Sequence, residues 1–146
     1  MEALKIKDIM SAVEGGGKKL SLFASQPAAG FPAPADDLVE TALDINDLVV
    51  KNPASTFFVR VEGNSMEGAH IFSGDVLVVD RAVEIKDKMI VVAAVFGELV
   101  VKRLKKQGDT HVLASENPDY EPININENDD CYVWGAVVGS VRQFEQ

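Results

Sequence analysis

The chain has 146 residues, 47% hydrophobic and 25% charged, enough for one domain with its own core. Its net charge of −9 speaks against direct nucleic-acid binding, which needs clustered Lys and Arg, so any link to DNA would run through a protein partner. No apolar run reaches the roughly 18 residues that span a bilayer, and Cys131, the single cysteine, excludes an internal disulfide and fits a reducing cytoplasm.

Residues 1–29 read as a flexible N-terminal arm. Lysines alternate with apolar residues at its start, with no long hydrophobic stretch, so it is not a secretory signal. Gly15-Gly16-Gly17-Lys18-Lys19 is flexible, and Ser21 to Ala35 is rich in Ala, Ser and Pro, the composition of a loosely held segment. Residues 35–40 and 43–49 predict one or two short helical pieces, and Asn52-Pro53 breaks the chain.

From Thr56 onward the pattern is β. Thr56–Glu62 sets Phe57, Val59 and Val61 against Phe58, Arg60 and Glu62 with a period of two. Val76–Val79 and Met89–Val95 are short, β-branched apolar runs that predict buried strands. Glu98–Leu104, His111–Ala114 and Tyr132–Val141 complete the set, with turns at Phe96-Gly97-Glu98 and Gln107-Gly108-Asp109. Helices and strands do not alternate, so the expected fold is mostly β: a compact twisted antiparallel sheet, residues 30–146, behind the arm.

Two residues carry the candidate chemistry. Ser65 lies in Gly63-Asn64-Ser65-Met66, a polar break after a strand. Lys102 lies in Val100-Val101-Lys102-Arg103-Leu104 and shares its parity with Val100 and Leu104, so it should point the way those apolar residues point. Burial disfavours a lysine cation, and a neutral amine beside a serine hydroxyl would activate it as a nucleophile. Gly63 lets the backbone turn tightly there. Ala28-Ala29-Gly30 is a run of small residues that could pass close to such a serine.

Other residues have plainer readings. Asp75 should close the Gly74 turn and Asp80 end a strand. His70 and His111 read as loop or surface residues, and Cys131 as a small buried hydrophobe. Trp134 reads as core or dimer contact, and Glu127-Asn128-Asp129-Asp130 as a solvated turn. His70, His111 and Cys131 are too scattered for a metal site, and no cofactor is expected.

Gly63-Asn64-Ser65-Met66, Ser73-Gly74-Asp75-Val76-Leu77-Val78-Val79-Asp80 and Val100-Val101-Lys102-Arg103-Leu104 resemble the peptidase domain of the LexA/UmuD family of self-cleaving serine peptidases. Gly30-Phe31-Pro32-Ala33-Pro34-Ala35 resembles the segment after the self-cleavage site in the UmuD branch, and the likeness runs from about Ala29 to the C-terminus. Twenty-nine preceding residues of this composition cannot supply the helix-turn-helix domain of LexA and phage repressors. The resemblance implies Ser65 as nucleophile, Lys102 as general base and Ala29-Gly30 as the bond cut, releasing residues 1–29. It implies SOS mutagenesis after DNA damage: a RecA filament on single-stranded DNA promotes cleavage, and the shortened homodimer joins a UmuC-type subunit as an error-prone translesion polymerase. Dimerisation would run partly through the C-terminal strand near Trp134–Phe144. Lys88-Met89 departs from the family's Gly-Asp turn, and Ser73 replaces the more usual Asp. The alternative is a non-enzymatic, repressor-like dimeric regulatory module; a signal-peptidase relative would need a membrane anchor.

Overall fold

The computed structural model describes residues 4–12, 19–23, 39–116, 121–125 and 130–145. Among these, the strands are β1 (Lys5–Ser11), β2 (Lys19–Phe23), β3 (Val39–Asp44), β4 (Thr56–Glu62), β5 (Val76–Asp80), β6 (Ile90–Val95), β7 (Glu98–Gln107), β8 (Thr110–Ala114), β9 (Ile123–Asn124) and β10 (Cys131–Val141). One helix, α1 (Ile45–Val49), and 3-10 turns at Pro53–Ser55 and Glu67–Ala69 complete the described elements.

Eight strands form one antiparallel sheet in the order β1-β4-β5-β10-β6-β7-β8-β9, and β1 also meets β7 at Lys5 and Val100. The run from β1 through β4, β5, β10, β6 and β7 therefore returns to β1 and closes a barrel, from which β8 and β9 extend beyond β7. The hairpins carry the turn chemistry that their twist demands. Phe96 and Gly97, with φ of 48° and 85°, join β6 to β7 across the Val95–Glu98 pair, and Gly108, at φ 61°, begins the turn from β7 to β8.

Alternation along the strands sorts apolar side chains onto two faces. Val59, Val61, Leu77, Val79, Val92 and Val101 pack on one, joined by Met66 and Leu4; Val91, Ala93, Leu104 and Leu113 pack on the other. Leu4 is fully buried, and hiding one leucine from water is worth roughly 2 kcal/mol.

Two stretches differ from the sequence reading. Val39–Asp44 is a strand, because it pairs antiparallel with β2 from Lys19↔Asp44 to Phe23↔Val39; that ladder overrides the weak local helical preference. Helix begins only at Ile45, where the Asp44 carboxylate accepts from the Asn46 amide at 2.8 Å and so caps the first turn. The second difference is in the arm: residues 5–11 are strand β1 of the main sheet, paired with β4 from Lys5↔Glu62 to Ser11↔Phe57, and Lys19–Phe23 is strand β2, paired with β3.

Strand β10 changes partner midway. Cys131–Ala136 pairs with β6 and Ala136–Val141 with β5, with irregularities at Val133/Gly135 and Val137/Gly139. Gly135 is needed there: a Cβ at this position would lie 2.8 Å from the Val79 side chain. Trp134 packs at a tilt against Phe57 with centroids 5.1 Å apart, under the Arg81 guanidinium 4.4 Å from its ring.

Candidate active site

Ser65 sits just beyond β4. Gly63 turns the chain with φ 123°, a conformation that favours glycine, and its amide donates to Ser73 Oγ at 3.3 Å. Met66, wholly buried, anchors the following 3-10 turn by accepting from the Ala69 and Ile71 amides at 2.9 and 3.3 Å. Gly68 backs onto the end of β8 so closely that a Cβ would lie 2.9 Å from the Glu116 carbonyl oxygen. The loop is also gripped from the C-terminus. Arg142 donates to both Asp75 carboxylate oxygens at 2.8 Å and to the His70 carbonyl at 2.9 Å, and lies over the Phe72 ring.

Asp75 and Asp80 are structural acids. Asp75 accepts from the Phe72 amide and closes the turn at Gly74, while Asp80 accepts from Asn52 Nδ2, Ser55 Oγ and the Ala82 amide. The Arg142 hydrogen bonds hold the Asp75 carboxyl below the usual carboxylate range, against the opposing effect of its burial.

Lys102 projects from β7 beside Val100 and Leu104, all three no more than 5% exposed. Desolvation lowers its pKa from the ordinary lysine value. Its Nζ donates to Ser115 Oγ at 2.8 Å, just past the end of β8. The neighbouring residues, Arg103 and Glu116, form an ion pair, and Arg103 Nη1 also donates to the Lys88 carbonyl at 2.6 Å. Glu116 thus touches the loop after Ser65 through Gly68 and the strand of Lys102 through Arg103.

The two candidate residues are bridged by a third. The Leu4 amide donates to Ser65 Oγ at 2.7 Å, and the Leu4 carbonyl accepts from the amide of Val101, the residue before Lys102, at 3.0 Å. Ser65 is 0% exposed beneath this contact. Ala29 and Gly30 lie in the connection between β2 and β3, outside the described residues.

Sequence reasoning missed Leu4, Ser115 and Arg142. Leu4 and Arg142 act across more than 60 residues of chain, and Ser115 reads as an ordinary loop serine. The Lys88-Met89 departure resolves simply: Lys88 adopts φ 72°, a left-handed turn, and its amide donates to the Leu104 carbonyl at 2.7 Å.

A small antiparallel barrel with a buried serine in a tight turn and a buried, desolvated lysine on a strand is the framework of a serine-peptidase class. The Peptidase S24-like family matches residues 21–138, and the chain belongs to this family, the LexA/UmuD group. Protein ImpA of Salmonella typhimurium is 44% identical over 103 residues, covering 70% of this chain and 66% of ImpA, just under two thirds of that relative. Protein MucA of Escherichia coli is 36% identical over 84% of each chain. The LexA repressor of Pectobacterium carotovorum subsp. carotovorum is 32% identical over 99% of this chain and 76% of the repressor.

Proposed function

We propose that this chain is a self-cleaving SOS mutagenesis protein of the UmuD kind, with Ser65 as nucleophile and Lys102 as general base. The observation that carries the reading is Lys102: a lysine 5% exposed beside Val100 and Leu104, where desolvation lowers its pKa, on the strand that shares Leu4 with Ser65. Neutral Lys102 takes the Ser65 proton as Oγ attacks the Ala29 carbonyl carbon. The Ala29–Gly30 bond then breaks, the Gly30 amine leaves with the proton from Lys102, and water hydrolyses the acyl-serine, releasing residues 1–29.

A RecA filament on single-stranded DNA promotes this step by favouring the docked cleavage segment, without adding a catalytic group. The cut protein joins a UmuC-type subunit as a translesion polymerase. It acts as a homodimer, a reading supported by Val138, Val141 and Phe144, which are 45%, 38% and 83% exposed along and beyond the second half of β10. Intact-mass analysis after incubation with RecA filaments tests the proposal: a product beginning Gly30-Phe31-Pro32 supports it, and an uncut chain favours the non-enzymatic regulatory module.

A further inference from the structure

We infer that residues 4–11 are a strand ligand of the Ser65 cleft: this N-terminal strand occupies the groove that a peptide must enter to be cut. This rests on the reading of Ser65 as nucleophile and adds a regulation of that site.

Backbone contacts define the docking. Leu4 uses its amide on Ser65 Oγ and its carbonyl on the Val101 amide, so its main chain lies across the opening between β4 and β7. A scissile carbonyl carbon must come within roughly 3–3.5 Å of the attacking oxygen. The Leu4 nitrogen already stands 2.7 Å from that oxygen, and no part of Ser65 reaches solvent. A second peptide cannot reach the serine while Leu4 is in place.

The register is chosen by charge as well as by hydrogen bonding. Lys5 lies opposite Glu62 and Asp8 opposite Arg60 across the β1–β4 ladder, and Lys5 Nζ reaches Glu98 of β7 at 3.4 Å. A shift of one residue would lose these pairings and withdraw Leu4 from its pocket.

The strand is also built to leave. Of its residues only Ile6 is even partly buried; Ile9 and Met10 are 45% and 51% exposed, so Leu4 alone is a deep anchor. Few buried contacts and exposed backbone bonds mark an element that opens before the rest of the fold. Each departure frees Ser65 Oγ, the Val101 amide and the facing edges of β4 and β7 together. Those are the groups an extended cleavage segment would use, so the occupant and the substrate exclude one another.

A reversible lock tests the inference in the full-length chain. Met10 and Phe58 are direct partners across β1 and β4, so Met10→Cys with Phe58→Cys would tie the strand in place when oxidised. The oxidised protein should cleave itself at least about 10-fold more slowly than the same protein after reduction, and a small fluorophosphonate should label its Ser65 correspondingly slowly. Equal rates in the two states, or faster reaction when oxidised, would overturn the inference. Absence of cleavage and labelling even in the reduced and wild-type chains would instead sink the nucleophile reading. Docking itself is then judged by hydrogen exchange on the wild-type chain: the amides of residues 5–11 should exchange more slowly than in a free peptide but faster than those of Val76–Asp80. Peptide-like exchange would overturn the docked strand whatever the chemistry of Ser65.

Discussion

Lys102 Nζ and Ser115 Oγ are joined by a 2.8 Å hydrogen bond that ties the end of β8 to the amine proposed as the base. A hydroxyl is an uncharged acceptor. It orients the amine without supplying the full negative charge that would hold it protonated, as a carboxylate there would. Ser115→Ala should therefore slow self-cleavage roughly 10- to 100-fold through loss of orientation. Because the oxygen also favours the ammonium somewhat, its removal should move the midpoint of the pH–rate curve to lower pH while lowering the plateau. Ser115→Thr should restore most of the rate. A slow variant with an unmoved midpoint and no rescue by Thr would assign Ser115 a merely structural role.

Burial of Lys102 has a cost that stability measurements can expose. Its pKa is lowered in the folded chain, so between that value and about 10.4 the unfolded chain binds more protons. Stability contributed by this group should accordingly rise with pH across that window, and below it the cost of the buried cation is fully present. Lys102→Met should abolish cleavage yet raise stability at pH 7 by on the order of 1 kcal/mol. Urea unfolding of both proteins at pH 7 and pH 10 checks this, and the gap between them should narrow at the higher pH.

Lys88 holds a left-handed conformation, at φ 72°, with its side chain exposed. A non-glycine residue is strained there, and nothing about the lysine side chain is needed for the turn, whose bonds come from its amide and carbonyl. Lys88→Gly should stabilise the fold by roughly 0.5–1 kcal/mol after the extra freedom glycine gains when unfolded. An increased urea midpoint with an unchanged slope is the expected result.

Arg142 clamps Asp75 and the loop after Ser65 from the C-terminal segment. Since Asp75 titrates below its ordinary value, the stability it contributes is present above the unfolded value near 3.9 and is lost as pH falls through the folded one. Arg142→Ala should thus lower Tm at pH 7, with the difference from wild type shrinking as pH is taken below about 4. Thermal unfolding from pH 7 to pH 2.5 reads this directly.

Much of the barrel was legible because its strands announce themselves locally. Thr56–Glu62 alternates, Ile90–Val95 is a continuous apolar run, and Phe96-Gly97 forms the tight turn from that run into Glu98–Gln107. What escaped was decided by pairing across distance. Val39–Asp44 has an equivocal local pattern and becomes a strand because β2 lies beside it. Lys5–Ser11 exposes most of its side chains, and the alternation Leu4-Lys5-Ile6-Lys7 is too short to mark a strand alone, so backbone bonds to β4 make it one. Ser65 and Lys102 were nameable from their motifs, and the burial expected of Lys102 from its parity with Val100 and Leu104 is observed. Leu4 and Ser115 have no motif of their own; only folding brings them to the site.

The central claim is that Ser65, with Lys102 as its base, cuts the bond between Ala29 and Gly30. Intact mass and N-terminal sequencing should be followed in time at pH 7 with RecA filaments, and from pH 7 to pH 10 without them. The account predicts one new terminus, Gly30-Phe31-Pro32, with a spontaneous rate that climbs with pH as Lys102 loses its proton, and no product from Ser65→Ala, Lys102→Ala or Lys102→Arg. A terminus elsewhere, a rate that is flat from pH 7 to pH 10, or normal cleavage by Lys102→Arg would contradict it.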